Sequence, residues 1–234
     1  MKDRVALGIP VIESVPVETY SSHLALAADM GEIVEVKIIV SESVMPHDRA
    51  RIQIFDRAIE EECRYLMFVD DDNFIPRGSF KLLFDVMVER SPVVVSGHYL
   101  RRGYPYTSVW SVYRGDNTFQ VDAQEGVHEI NCSGLGCALI DVGWVKEHLD
   151  KPYFYMEQNQ EGTQITDDVT FFRQIREKGG LVLGHGSVQC GHVGRRVMVA
   201  RNSAGDLRHF DINRIVKRDE EINDGVDEQH VESK

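Results

Sequence analysis

No apolar run in this chain approaches the ~20 residues that cross a bilayer, so no membrane helix is expected. The apolar stretch near the N-terminus is too short for a signal peptide. The four cysteines, Cys63, Cys132, Cys137 and Cys190, form no CxxC pair. That spacing argues against a zinc site and for reduced thiols in a cytoplasmic protein. Positive charge is scarce: 26 Lys and Arg stand against 38 Asp and Glu, a formal net charge of -12. A nucleic-acid binder needs a basic face, so stable nucleic-acid binding is not expected. Internal repeats and low-complexity linkers are also missing.

What remains is an ordinary globular composition, 42% hydrophobic and 27% charged over 234 residues. That suffices for one substantial core. Val5 to Ile9 reads as a first strand closed by Pro10. Thr19 to Met30 has helical spacing, with Leu24, Leu26, Ala27 and Met30 apolar and Gly31 as a stop. Ile33 to Val40 is strand-like, and His47 to Glu62 is an amphipathic helix carrying Ile52, Phe55 and Ile59. A third strand ends at Asp70. Pro76 opens a helix through Phe80, Leu83, Phe84 and Met87, and Pro92 to Ser96 is a fourth strand. Alternating strands and helices predict an α/β fold with a mostly parallel sheet and helices on both faces.

The second half has another texture. Ser108 to Tyr113 and Thr118 to Val121 predict a hairpin around Gly115-Asp116-Asn117, and a small second sheet is expected beside the main one. A glycine turn, Ser133-Gly134-Leu135-Gly136, feeds Leu139-Ile140. Asp141 to Leu149 is a short helix. Thr166 to Lys178 is a longer one, capped by Thr166 and stopped by Gly179-Gly180. Leu181 to Leu183 and Ser187 to Cys190 read as two final strands. The expected organisation is one domain over residues 1–195, in halves 1–97 and 98–195. An extension over 196–234 ends in an acidic tail. Its Arg208 to Val216 segment is a candidate surface for a homo-oligomer or for docking on the domain.

The chemistry concentrates where Tyr65-Leu66-Met67-Phe68-Val69 runs into Asp70-Asp71-Asp72. Ligands collect at the carboxyl ends of α/β strands. Alternation lets Asp70 and Asp72 share a side. Three packed carboxylates repel one another, which calls for a cation, most simply a divalent metal with oxygen ligands. Asp167-Asp168 opens a helix, where the helix dipole stabilises acids and one carboxylate suffices as general base. His192, between glycines after the last strand, suits a third metal ligand, with His185 as competitor. Arg51 lies within reach of a diphosphate, and Arg101, Arg102, Arg195 and Arg196 flank the second half. Tyr104, Tyr106, Trp110, Tyr153, Phe154 and Tyr155 are candidates for stacking on sugars or packing the core.

Read in order over about residues 4–195, these pieces resemble the GT-A glycosyltransferases, in particular the family-2-like group that uses nucleotide-diphosphate sugars. Ile9-Pro10 resembles the start of the nucleotide pocket. Arg49-Ala50-Arg51 resembles the family's arginine-bearing helix, and Phe68-Val69-Asp70-Asp71-Asp72 its DxD strand. The resemblance implies that Pro10, Arg51, Asp70, Asp71, Gly134 and Gly136 bind the donor. It implies that Asp72, His192 and Asp70 hold Mn2+ or Mg2+, and it puts Asp168 at the catalytic-base position. Transfer with inversion is the expected course; under retention Asp168 would position the acceptor instead. A UDP- or GDP-linked sugar is the implied donor, and the acceptor is open. Asp167 stands where the family usually has Glu. No QxxRW sequence is present, so processive polysaccharide synthesis is not expected. Haloacid-dehalogenase phosphatases also place DxD after an apolar strand, but want Thr or Val where this chain has Phe74. A nucleotidyltransferase would need a glycine-rich N-terminal loop that this chain lacks. A non-catalytic nucleotide-sugar-binding module is the remaining alternative.

Overall fold

The computed structural model describes residues 2–11, 14–41, 47–102, 104–114, 117–194, 197–201 and 207–211. In order come β1 (Arg4–Ile9), α1 (Val17–Ile33), β2 (Glu35–Val40), α2 (His47–Glu60), β3 (Tyr65–Val69) and β4 (Asn73–Phe74). Next are α3 (Ser79–Arg90), β5 (Val94–His98), β6 (Ser111–Arg114), β7 (Asn117–Gln120), β8 (Val127–Glu129) and β9 (Cys137–Asp141). Then follow α4 (Val142–His148), β10 (Glu157–Gln158), β11 (Gln164–Ile165), α5 (Asp167–Glu177) and β12 (Val182–Gln189). The last three are β13 (Gly191–Val193), β14 (Val197–Arg201) and β15 (Leu207–Asp211).

Seven strands make the central sheet in the order β2-β1-β3-β9-β5-β12-β8. β1, β2, β3, β5 and β12 share one direction, while β8 and β9 oppose it. The β9 side chains from Cys137 to Ile140 are fully buried, which suits a strand covered on both faces. Its insertion between β3 and β5 was not legible in the strand–helix alternation.

Side chains alternate across the sheet as the two-residue period requires. Leu66 and Phe68 join α2, α4 and α5 in one core, through Ile54, Phe55, Val145, Phe171 and Phe172. Tyr65, Met67 and Val69 join α1 and α3 in the other, through Leu26, Met30, Phe80 and Leu83. Each fully buried large side chain contributes roughly 1.5–3 kcal/mol.

Local expectations needed correction at several places. Helix α1 runs through Gly31 to Ile33, because an exposed helical glycine costs only about 1 kcal/mol and the buried Val34 lies beyond it. Leu24 lies on the solvent side, 54% exposed. Helix α3 begins at Ser79, after Gly78 in the left-handed region, so Pro76 sits in the preceding turn. The two expected final strands are one, β12. Gly184 and Gly186 allow close approach there, since a Cβ would fall 2.6 Å from the Trp110 ring and 1.6 Å from the Gln124 carbonyl oxygen. Gly115 and Asp116 of the hairpin turn, Arg195 and Arg196, and Ile212 to Val216 lie outside the described residues.

A second sheet, in the order β15-β14-β13-β4, hangs from the carboxyl end of β3. Antiparallel pairing sets His192 opposite Asn73, and the Val193 N–H donates to the Asp72 carbonyl at 2.7 Å. This register brings His192, 120 residues later in the sequence than Asp72, beside it. Among the described residues no helix is long and apolar enough to cross a membrane.

Candidate functional site

The acidic loop leaves β3 at the carboxyl end of the parallel strands. The Asp70 N–H donates to the Gly136 carbonyl at 3.3 Å, and the Asn73 N–H turns back to the Asp70 carbonyl at 3.0 Å. A cleft of about 250 Å3 opens over it, lined by Pro10, His47, Arg51, Asp70, Asp71, Asp72, Arg102, Met156, Thr166, Asp167, Asp168 and His192. Residues from widely separated parts of the chain thus meet in one place.

Arg51 links the two acidic motifs. It lies on the core-facing side of α2, with its side chain 7% exposed. Nη2 donates to Asp70 Oδ1 at 2.9 Å, and Nη1 to Asp167 Oδ2 at 2.7 Å. Burial opposes its charge, but Asp70 and Asp167 outweigh burial and raise its pKa further. Removing either carboxylate would leave a charge with half its compensation, a costly state inside a protein.

Asp72 faces two cationic or polar groups. Arg102 Nη1 stands 2.7 Å from Oδ2, and His192 Nε2 stands 3.5 Å from Oδ1. Burial pushes the Asp72 carboxyl up, but His192 and Arg102 win and hold it below its ordinary value. His192 Nδ1 lies 2.7 Å from the Leu100 carbonyl, which can only accept, so Nδ1 carries a proton. Tyr99 packs edge-on to the ring. Nε2 is the ring nitrogen left facing the Asp72 carboxylate, the place where a metal ion would be shared between them.

The donor set fits a divalent metal shared with a ligand. Asp72 and His192 offer one oxygen and one nitrogen donor. No cluster of three His, Cys, Asp or Glu side chains able to hold a metal occurs among the described residues. Mg2+ commonly takes one or two protein carboxylates and completes its shell with water and phosphate oxygens. The lining holds five carboxylates against the two guanidinium groups of Arg51 and Arg102. An anionic diphosphate entering such a cleft needs a cation with it.

Asp168 sits at the other side of the cleft, in the first turn of α5. Thr166 occupies the cap position, but its hydroxyl donates to Asp168 Oδ1 instead of capping a backbone N–H. The Val169 N–H also reaches Oδ1, at 2.9 Å, and no hydrogen bond to Oδ2 occurs among the described residues. Burial raises the Asp168 carboxyl above its ordinary value of 3.8, against the pull of Thr166 and Arg51. A carboxylate with a raised pKa is a stronger base.

Gly136 packs against Asp70 and Gly134 against Tyr99, and neither lines the cleft directly. A Cβ on Gly136 would lie 1.9 Å from Asn73 Nδ2 and 2.9 Å from Asp70 Oδ2, and one on Gly134 would lie 2.1 Å from the Tyr99 hydroxyl. The Gly136 N–H donates to that hydroxyl at 2.9 Å. Tyr99 was not among the sequence candidates, since a tyrosine leaving a buried strand reads as core. His185 lies within β12 and away from the cleft lining. Trp110, Tyr153 and Phe154 are buried in the core, whereas Tyr104 is 89% exposed. The cysteines are free and buried, and burial pushes the Cys132 thiol up to about 12. A cysteine nucleophile is not built here.

No family model and no curated protein matches this sequence. Solved structures share its architecture. The crystal structure of A197 from STIV aligns with 87% of this chain and 92% of that chain, at a TM-score of 0.58 and 21% identity. The crystal structure of GalNAc-T7 with UDP, GalNAc and Mn2+ aligns with 83% of this chain and 44% of that chain, at a TM-score of 0.54 and 11% identity. This is a GT-A-like fold. At such identities the likeness is one of fold, and the chemistry has to be argued from the cleft.

Proposed function

We propose that this protein is a metal-dependent glycosyltransferase that moves a sugar from a UDP- or GDP-linked donor to an acceptor hydroxyl. The observation that carries the reading is one cleft holding Asp70, Asp72, His192, Arg51 and Asp168 in a GT-A-like fold. The GalNAc-T7 neighbour, crystallised with UDP and Mn2+, supports the same class of ligand. Residues 1–97 supply the nucleotide half of a single domain and 98–195 the acceptor half.

In this reading Pro10 borders the base pocket. Asp70, with one oxygen on Arg51, offers the other to the ribose or base. Asp71 lines the same pocket. Gly134 and Gly136 keep the floor low beneath the donor sugar. Asp72 and His192, with Asp70 nearby, hold Mn2+ or Mg2+, which when bound neutralises the departing diphosphate. Asp168 takes the proton of the acceptor hydroxyl at Oδ2. The acceptor oxygen then forms its bond to the anomeric carbon as the bond to the nucleoside diphosphate breaks, with inversion. Arg102 can leave Asp72 to meet the phosphates. The exposed Tyr104 and its neighbour Tyr106 present the acceptor side.

The test is thermal stabilisation of wild type and Asp72→Ala by UDP, GDP, CDP and dTDP, with and without Mn2+. Ligand at a hundred times Kd adds about 2.7 kcal/mol. A metal-dependent shift with one or two nucleotides, absent in Asp72→Ala, supports the transferase and identifies the donor base. No shift, together with Asp70-dependent hydrolysis of a phosphate ester, would replace it with a phosphatase.

A further inference from the structure

Helix α1 turns three buried polar side chains toward the acidic loop. Thr19, Ser22 and His23 are 0%, 4% and 4% exposed, and they form one stripe at i, i+3 and i+4. Each reaches main-chain atoms. The Thr19 hydroxyl lies 2.7 Å from the Asp71 carbonyl, with the Pro16 carbonyl of its own helix start at 2.9 Å. His23 Nε2 is 3.0 Å from the Asn73 carbonyl and so must donate. The Ser22 hydroxyl donates to the Ile75 carbonyl at 2.9 Å and accepts from the Ile75 N–H at 2.7 Å.

The two spacings match. Asp71 and Asp72 form a turn closed by the Asn73 N–H on the Asp70 carbonyl, and β4 follows it, so that the carbonyls of 71, 73 and 75 each meet one residue of the helical stripe. The carbonyl between the first two, that of Asp72, takes the Val193 N–H of β13 instead. The loop is thus gripped along both edges, by helix side chains on one and a strand on the other. Neither grip uses the Asp70 or Asp72 carboxylates.

We propose that Thr19, Ser22 and His23 are positioning residues that fix the loop backbone so that Asp70 and Asp72 meet the metal and diphosphate already in place. The proposal rests on the transferase reading for the identity of that ligand. Groups that orient metal ligands from behind typically control affinity by about 10–100-fold when removed.

The test compares Thr19→Val, Ser22→Ala and His23→Leu with the conservative Ser22→Thr and His23→Gln. One readout is amide hydrogen exchange at Asn73, whose N–H donates to Asp70 and not to α1. The other is the Mn2+ concentration giving half-maximal stabilisation by the nucleotide that wild type binds. The expected result is faster exchange at Asn73 relative to β3, with a Mn2+ requirement raised about 10-fold or more. Ser22→Thr and His23→Gln should recover most of both. A lower melting temperature with unchanged Asn73 exchange and unchanged Mn2+ requirement would overturn the proposal and leave these residues as packing. Should His23→Leu not fold, Thr19→Val, which replaces one hydroxyl by a methyl, decides alone. If wild type shows no metal-dependent nucleotide response, the transferase reading fails, and the exchange measurement still decides the loop clamp.

Discussion

The helices on the two faces of the sheet serve the cleft in different ways. From one face α2 and α5 send charged side chains into it: Arg51, Asp167 and Asp168. From the other face α1 contributes no lining residue and bonds the backbone of the loop that carries the acids. One face supplies charge and the other supplies placement. Charged groups so close together need both, because mutual repulsion would otherwise spread a loop bearing three carboxylates.

Breaking the charged side should have the larger effects. Arg51→Ala strands Asp70 and Asp167 in a buried site and should destabilise the fold by about 3–5 kcal/mol in denaturant unfolding. Arg51→Lys, which cannot reach both acids with a planar fork, should recover only part of that loss. Next in size, Asp168→Asn should lower kcat about 10²–10⁴-fold while leaving nucleotide affinity near wild type. Because burial raises the Asp168 carboxyl, wild-type activity should fall as pH drops toward a value above 3.8, where the base takes up its proton. A pH–rate profile in wild type checks this, and an inflection at or below 3.8 would refute it.

The placement side should give smaller effects. Gly136→Ala drives a methyl against Asn73 and Asp70, an overpacking that typically costs about 1–3 kcal/mol and here should weaken nucleotide binding as well. The smallest expected effect is a pH dependence at His23. Burial lowers its pKa below 6.5, so the unfolded chain takes up a proton before the folded one does. Stability should therefore decline as pH falls below about 6.5, and His23→Gln should flatten that part of the curve. Chemical denaturation of both proteins between pH 7 and 5 measures the difference. Parallel curves would remove His23 from the account.

The same division governs what could be read in the sequence. Asp70-Asp71-Asp72, Asp167-Asp168 and His192 stood out because charges and glycines interrupt apolar runs. The structure lines all of them along one cleft. The apolar strands and helices around them followed from periodicity. Thr19, Ser22 and His23 carry no such mark, because the apolar spacing of α1 includes Leu24, which faces solvent. A polar stripe on a buried helix face has meaning only once the loop it bonds is known. The β9 insertion is hidden for a related reason: a five-residue strand with four apolar residues carries no mark of its neighbours or direction. The pairing of Asp72 with His192 depends on the register of β4 and β13, strands of two and three residues that periodicity cannot detect.

The most direct measurement is the release of nucleoside diphosphate from UDP- and GDP-hexoses by wild type, Asp72→Ala and Asp168→Asn, each with Mn2+ or with chelator. The account predicts release that requires metal, vanishes in Asp72→Ala and falls at least about 100-fold in Asp168→Asn. Release that ignores the chelator, or that persists undiminished in both variants, would contradict it.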